Sequence, residues 1–171
     1  MFLIKEMLKQ PYIMHSDNDC GPRAIAACSG ISYEQVIAKG WPQGFAGNDD
    51  DMQYQHQQAL LNLGLHWRKV SLDELLAHTC KPYETLVLGV PMGNSLLQYH
   101  WMIYGGRAVS NPENFLIYMG DVDKPKMLTP YEMKSLWQTA SYAYELTDNP
   151  QLSHKLPWYK RLWNKLTGWI K

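Results

Sequence analysis

His15-Ser16-Asp17-Asn18-Asp19-Cys20-Gly21-Pro22-Arg23-Ala24-Ile25-Ala26 is the stretch on which the reading of the fold turns. Pro22 suits the first turn of a helix, where its missing N–H costs nothing, and the small apolar residues after it sustain that helix until Gly30. Cys20 therefore stands at a helix N-terminus, where the positive end of the dipole and free backbone N–H groups favour a thiolate. The same N–H groups can help hold the oxyanion of a tetrahedral intermediate, and Gly21 leaves room for a substrate backbone. A free cysteine is as often buried and inert, so position alone leaves nucleophile and core residue equally open.

Working outward, Ser32 with Gln35 forms a capping box that opens a short helix ending at Gly40. Asn48, Asp49, Asp50 and Asp51 offer caps for a helix over 52–63, closed by Gly64; helix capping explains the adjacent aspartates better than a metal loop, since no ligand alternation follows. A strand is expected over 65–70, and Ser71 with Glu74 opens a helix over 72–78. The pattern then turns to short β-branched and aromatic runs over 85–90, 99–104, 115–119 and 141–146, with a helix between the last two capped by Thr129 and Glu132 and reaching Trp137. Helices first and an antiparallel sheet afterwards describe an α+β fold.

The stretch 15–26 resembles the nucleophile motif of the bacteriocin-leader (double-glycine) peptidases and their stand-alone relatives, which are papain-like cysteine peptidases. That family reads Gln-Ser-Asp, a short spacer, then Asp-Cys-Gly-Pro and a small-residue helix. Tyr99-His100-Trp101-Met102-Ile103-Tyr104-Gly105 is similar to the family's histidine-led strand, and Phe115-Leu116-Ile117-Tyr118-Met119-Gly120-Asp121 to the strand its acid closes. The resemblance covers about residues 10–147 and implies a papain-like fold, N-terminal helices on an antiparallel sheet. It implies Cys20 as nucleophile, His100 as general base and Asp121 as the orienting acid. His15 stands where the family has its oxyanion glutamine, with the spacer one residue shorter, and can donate only if the correct ring nitrogen carries the proton. Pairing of Gly106 with Phe115 would set Asp121 opposite His100, whereas a tight turn at Gly105-Gly106 would bring Asn111 there instead. Asp121 fits the downstream helix spacing, and an Asn can also orient an imidazole.

With 171 residues, 46% of them hydrophobic, the chain can bury one continuous core. Sixteen Lys and Arg balance sixteen Asp and Glu, which gives no charge-based reason to expect a nucleic-acid partner. Cys20, Cys28 and Cys80 lack CxxC spacing, so neither a disulfide framework nor a zinc site is expected, and a reducing compartment fits. No cofactor is expected. No apolar run approaches the ~20 residues of a membrane span and no export signal is legible, so a cytoplasmic protein is expected. Cys28 reads as core and Cys80 as either core or loop. His56, His66, His78 and His154 read as surface or dipole-compensating groups.

The peptidase-like domain is expected over 1–147, followed by a linker over 148–157 and a basic, Trp-rich amphipathic helix over 158–171. Trp158, Trp163 and Trp169 alternate there with Lys160, Arg161, Lys165 and Lys171. That pattern suits a membrane surface, which would make the protein peripheral, and equally a helix docked on the body or on a partner protein. The function implied is cleavage of a peptide or protein substrate at a glycine-rich or small-residue site. The absent glutamine and the basic tail leave open a peptide-binding or membrane-associated protein that keeps the fold with impaired turnover, and the Asp-Cys motif with a histidine-led strand is also shared by cell-wall endopeptidases of the NlpC type.

Overall fold

Helix α1, Cys20–Ser29, ends where Gly30 turns left-handed (φ 79°) and returns its N–H to the Ala26 carbonyl, the stop expected of a glycine at that place. The computed structural model describes residues 7–16, 19–45, 52–89, 100–138 and 142–148. The expected second helix starts as α2, Tyr33–Gln35, with the Ser32 hydroxyl accepting the Gln35 N–H at 3.3 Å. It continues over Val36–Gly40 as a π-helical turn rather than an α-helical one. The wider turn lays Gly40 on the next helix, α3 (Met52–Asn62), where an added Cβ would stand 3.3 Å from the Ala59 methyl. Asn62 Nδ2 donates to the Gly40 carbonyl at 3.0 Å, satisfying an acceptor at the helix end. The acidic caps expected before α3 lie outside the described residues, as do the proposed C-terminal helix and nearly all of its linker.

Strand β1 is His66–Val70, and the Ser71–Glu74 capping box opens α4, Leu72–Leu76, with both reciprocal bonds formed. The helix stops before the expected His78, which adopts φ 53°. Strands β2 (Thr85–Gly89), β3 (His100–Arg107), β4 (Phe115–Tyr118), β5 (Lys126–Leu128) and β6 (Tyr142–Thr147) complete the sheet, with α5, Pro130–Gln138, between the last two. All pairs are antiparallel, in the order β1-β6-β2-β3-β4-β5. β5 had no sequence signal because it is a three-residue edge strand of exposed Lys and Met, composition that suits an edge rather than a core.

Both faces of the sheet are covered, which is why β2 is buried at every position instead of alternating. On one face Trp101 and Ile103 of β3 join Leu86, Leu88, Tyr144 and the Ala-rich side of α1. On the other, Met102 and Tyr104 join Leu75 of α4 and Met133 and Leu136 of α5. Gly105 and Gly106 lie inside β3, at a bulge against β4, so the tight Gly-Gly turn is not formed. A Cβ at Gly105 would stand 2.8 Å from the Tyr118 ring, which is why the bulge needs glycine there.

Candidate active site

α1 opens on Cys20 and β3 opens on His100, and the packing of α1 across β2 and β3 brings the two openings together. The Cys20 sulfur accepts the Trp101 backbone N–H, so the thiol lies against the peptide that joins His100 to Trp101. The N–H groups of Gly21 and Cys20 also serve the sulfur. Burial pushes the Cys20 thiol above its ordinary pKa, and the Asp19 carboxylate adds to that, while the three N–H donors pull the other way and do not win. The lowered pKa expected of a helix N-terminus is thus overturned by dehydration: the residue is 4% exposed.

His100 is 2% exposed, and its Nε2 is hydrogen-bonded to the Met119 carbonyl. A carbonyl oxygen only accepts, so Nε2 carries the proton and Nδ1 keeps the lone pair. Nδ1 is buried and has no hydrogen-bond partner among the described residues. Burial pulls the imidazole below its ordinary pKa, against the Met119 carbonyl and the Asp121 charge, which act upward. Both shifts favour the neutral thiol and the neutral imidazole over the charged pair.

β4 pairs Tyr118 with Ile103 and Ile117 with Tyr104; continued by three residues, that register sets Asp121 opposite His100. The ladder ends first. Gly120 turns to φ 82° and gives its carbonyl to the Met14 N–H at 2.8 Å, while the buried Tyr12 hydroxyl donates to the Trp101 carbonyl. An added Cβ at Gly120 would stand 2.9 Å from the Tyr12 ring, so the N-terminal segment and this turn require each other. The Asp121 carboxylate accepts the Val122 N–H at 3.1 Å and pairs with Lys126 Nζ at 3.3 Å, acting on His100 through its charge. Asn111 lies in the exposed turn after β3, its side chain accepting the Glu113 N–H at 3.2 Å.

His15 is held by its neighbours on α1. Its backbone N–H reaches both Asp19 carboxylate oxygens at 3.2 and 3.3 Å, Arg23 Nε donates to Asp19 at 2.9 Å, and Arg23 Nη2 stands 3.0 Å from His15 Nδ1. The Arg23 guanidinium also covers the Tyr33 ring at 3.7 Å.

His56 corrects the sequence reading. It is 1% exposed, its ring 4.6 Å from that of Trp101 and packed edge-on to Trp41 and Phe45. An added Cβ at Gly21 would fall 1.7 Å from its Nε2, so the glycine after Cys20 is the space the imidazole occupies. The polar surroundings of His56 in sequence hid this; the small residue at position 21 was the available signal. Cys28 is fully buried, as expected, and Cys80 is buried too, which pushes its thiol up to about 11. His78 is half-buried, stacking on Phe115 at 4.3 Å with its Nδ1 bonded to the Tyr104 hydroxyl. His66 is half-buried in β1, and His154 lies outside the described residues. Among the described residues no group of three His, Cys, Asp or Glu side chains converges as a metal site, and no helix is long and apolar enough to cross a membrane.

No protein-family model and no curated protein matches the sequence. The fold does have a solved counterpart, the crystal structure of the peptidase domain of Streptococcus ComA, a bi-functional ABC transporter involved in a quorum-sensing pathway. The two superpose with a TM-score of 0.57 at 17% identity, over 82% of this chain and 99% of that one. The chain therefore shares its fold with the ComA peptidase domain, the papain-like architecture that Asp19-Cys20-Gly21-Pro22 led us to expect.

Proposed function

We propose that this chain is a cysteine peptidase that cleaves a peptide bond at a glycine-rich or small-residue site. The observation that carries the reading is a buried His100 Nδ1 with no hydrogen-bond partner among the described residues, at the head of a strand whose next peptide N–H, that of Trp101, meets the Cys20 sulfur. A buried lone pair left unsatisfied is costly, and a proton-accepting role gives it a reason to persist. In the proposed reaction Cys20 gives its proton to Nδ1 as the sulfur attacks the scissile carbonyl, forming a C–S bond. The backbone N–H of Cys20 and His15 hold the oxyanion. Protonated His100 returns the proton to the leaving amine as the C–N bond breaks, and water then hydrolyses the thioester. Met119 holds the imidazole and Asp121 supports the charge it acquires.

A second reading, a peptide-binding protein that has lost turnover, is favoured by one observation: the Asp121 carboxylate is engaged with Lys126 and Val122. Alkylation of Cys20 by iodoacetamide, mapped by mass spectrometry, separates the two. The peptidase reading expects fast, pH-dependent labelling that falls at least about tenfold in His100→Ala, together with hydrolysis of a Gly-Gly peptide that Cys20→Ser abolishes. Slow labelling indifferent to His100 would sink it. The basic residues 158–171 are proposed to bind a membrane surface or a partner protein; equal liposome co-sedimentation with and without them would remove the membrane reading.

A further inference from the structure

We propose that Arg23 is a positioning residue that fixes the tautomer of His15, so that His15 Nε2–H is the donor available to the oxyanion; the inference rests on the peptidase reading above. A guanidinium has only donors, so at 3.0 Å its Nη2 calls for a lone pair on His15 Nδ1, and of the two neutral tautomers the one protonated at Nε2 is the one that offers it. A glutamine amide always presents N–H donors, whereas a histidine in the same role is a donor at only one nitrogen. The substitution therefore needs a device that chooses the nitrogen, and Arg23 supplies it.

The clamp is rigid for physical reasons. Arg23 Nε is bonded to Asp19 at 2.9 Å, with the two side chains only 19% and 7% exposed, and the guanidinium lies over Tyr33 at 3.7 Å. Asp19 also takes the His15 backbone N–H, so one ion pair holds both the main chain and the ring of His15. Asp19 immediately precedes Cys20, which ties the clamp to the nucleophile's helix. Lysine cannot replace this arginine: it would keep a charge beside Asp19 but loses the planar fork that reaches two partners at once.

The test uses the full chain labelled with 15N-histidine, whose ring signals distinguish the tautomers. Wild type should show His15 protonated at Nε2, and Arg23→Lys, which preserves the ion pair, should populate both forms, as should Arg23→Met. Turnover of a Gly-Gly peptide should fall roughly tenfold in Arg23→Lys with KM held within about twofold, less than the ~10²–10³ of removing an oxyanion donor outright. In a His15→Gln background, where the donor no longer depends on a tautomer, the Arg23→Lys penalty should shrink severalfold. An unchanged tautomer in Arg23→Lys, or an equal penalty in both backgrounds, overturns the proposal. Absence of Cys20-dependent turnover in the wild type would sink the peptidase reading and the oxyanion role together, while the ring signals decide the Arg23 clamp in either case.

Discussion

α1 and the helices α4 and α5 begin in opposite ways. In α4 the Ser71 hydroxyl takes the Glu74 N–H at 3.2 Å and the Glu74 carboxylate returns to the Ser71 N–H at 2.9 Å. Thr129 and Glu132 close α5 with the same reciprocal pair at 3.2 and 2.7 Å. At α1 the N-cap residue is Asp19, a good capping type, yet its side chain makes no capping bond. The carboxylate is spent on the His15 N–H and on Arg23, and the first N–H groups of the helix are left to the Cys20 sulfur. The difference teaches that a helix end whose cap has been diverted is the place to look for chemistry, since its donors remain available to a reacting atom.

The largest expected effect breaks the uncapped end. Gly21→Ala places a methyl 1.7 Å from His56 Nε2, and His56 cannot retreat because Trp41, Phe45 and Trp101 surround it. A loss of about 3 kcal/mol is expected by chemical denaturation, as for overpacking a filled core. Cys20 alkylation should be lost with it, and a stability equal to wild type would show that α1 is less fixed against α3 than the contact implies.

Acid separates the two kinds of helix start by pH. His100 and His78 are held below their ordinary value of 6.5, so the unfolded chain takes up their protons first. Their contribution is complete above about pH 6.5 and is lost as the pH falls through their folded values, at no more than about 1.4 kcal/mol per pH unit for each. Glu74 and Glu132 are held below 4.5 by their capping bonds, so theirs is present above that pH and is lost only at lower values. Denaturation midpoints at pH 7.5, 6.0, 4.0 and 3.0 should decline in that order, and His100→Ala should flatten the decline between pH 7.5 and 4.0 while sparing the step from 4.0 to 3.0. A decline confined to pH below 4.5 would contradict the burial argument for the histidines.

The smallest effect belongs to the capped ends. Ser71→Ala or Thr129→Ala should cost about 1 kcal/mol, with the rate of Cys20 alkylation unchanged. If either substitution slowed that labelling, capped and uncapped helix starts would be coupled through the sheet, and the contrast drawn between them would fail.

Most of the frame was legible in the chain because local rules wrote it. Ser71 with Glu74, Thr129 with Glu132, and Gly30 after a small-residue run mark helix ends through bonds made within a few residues. Short β-branched and aromatic runs, with the run over 65–70, marked five of the six strands; β5, Lys126–Leu128, was silent because its pairing partner, not its own composition, makes it a strand. The candidate nucleophile and base could be named because Asp19-Cys20-Gly21-Pro22 and the strand led by His100 resemble the motifs of the bacteriocin-leader peptidases; position alone left Cys20 open. Environment could not be read the same way. Burial reversed the expected shift of the Cys20 thiol, took His56 from a polar-looking helix face into the space beside Gly21, and gave the Nε2 of His100 to a backbone carbonyl. These are contacts between segments tens of residues apart, and desolvation and hydrogen-bond partners exist only once the sheet and α1 have closed on one another.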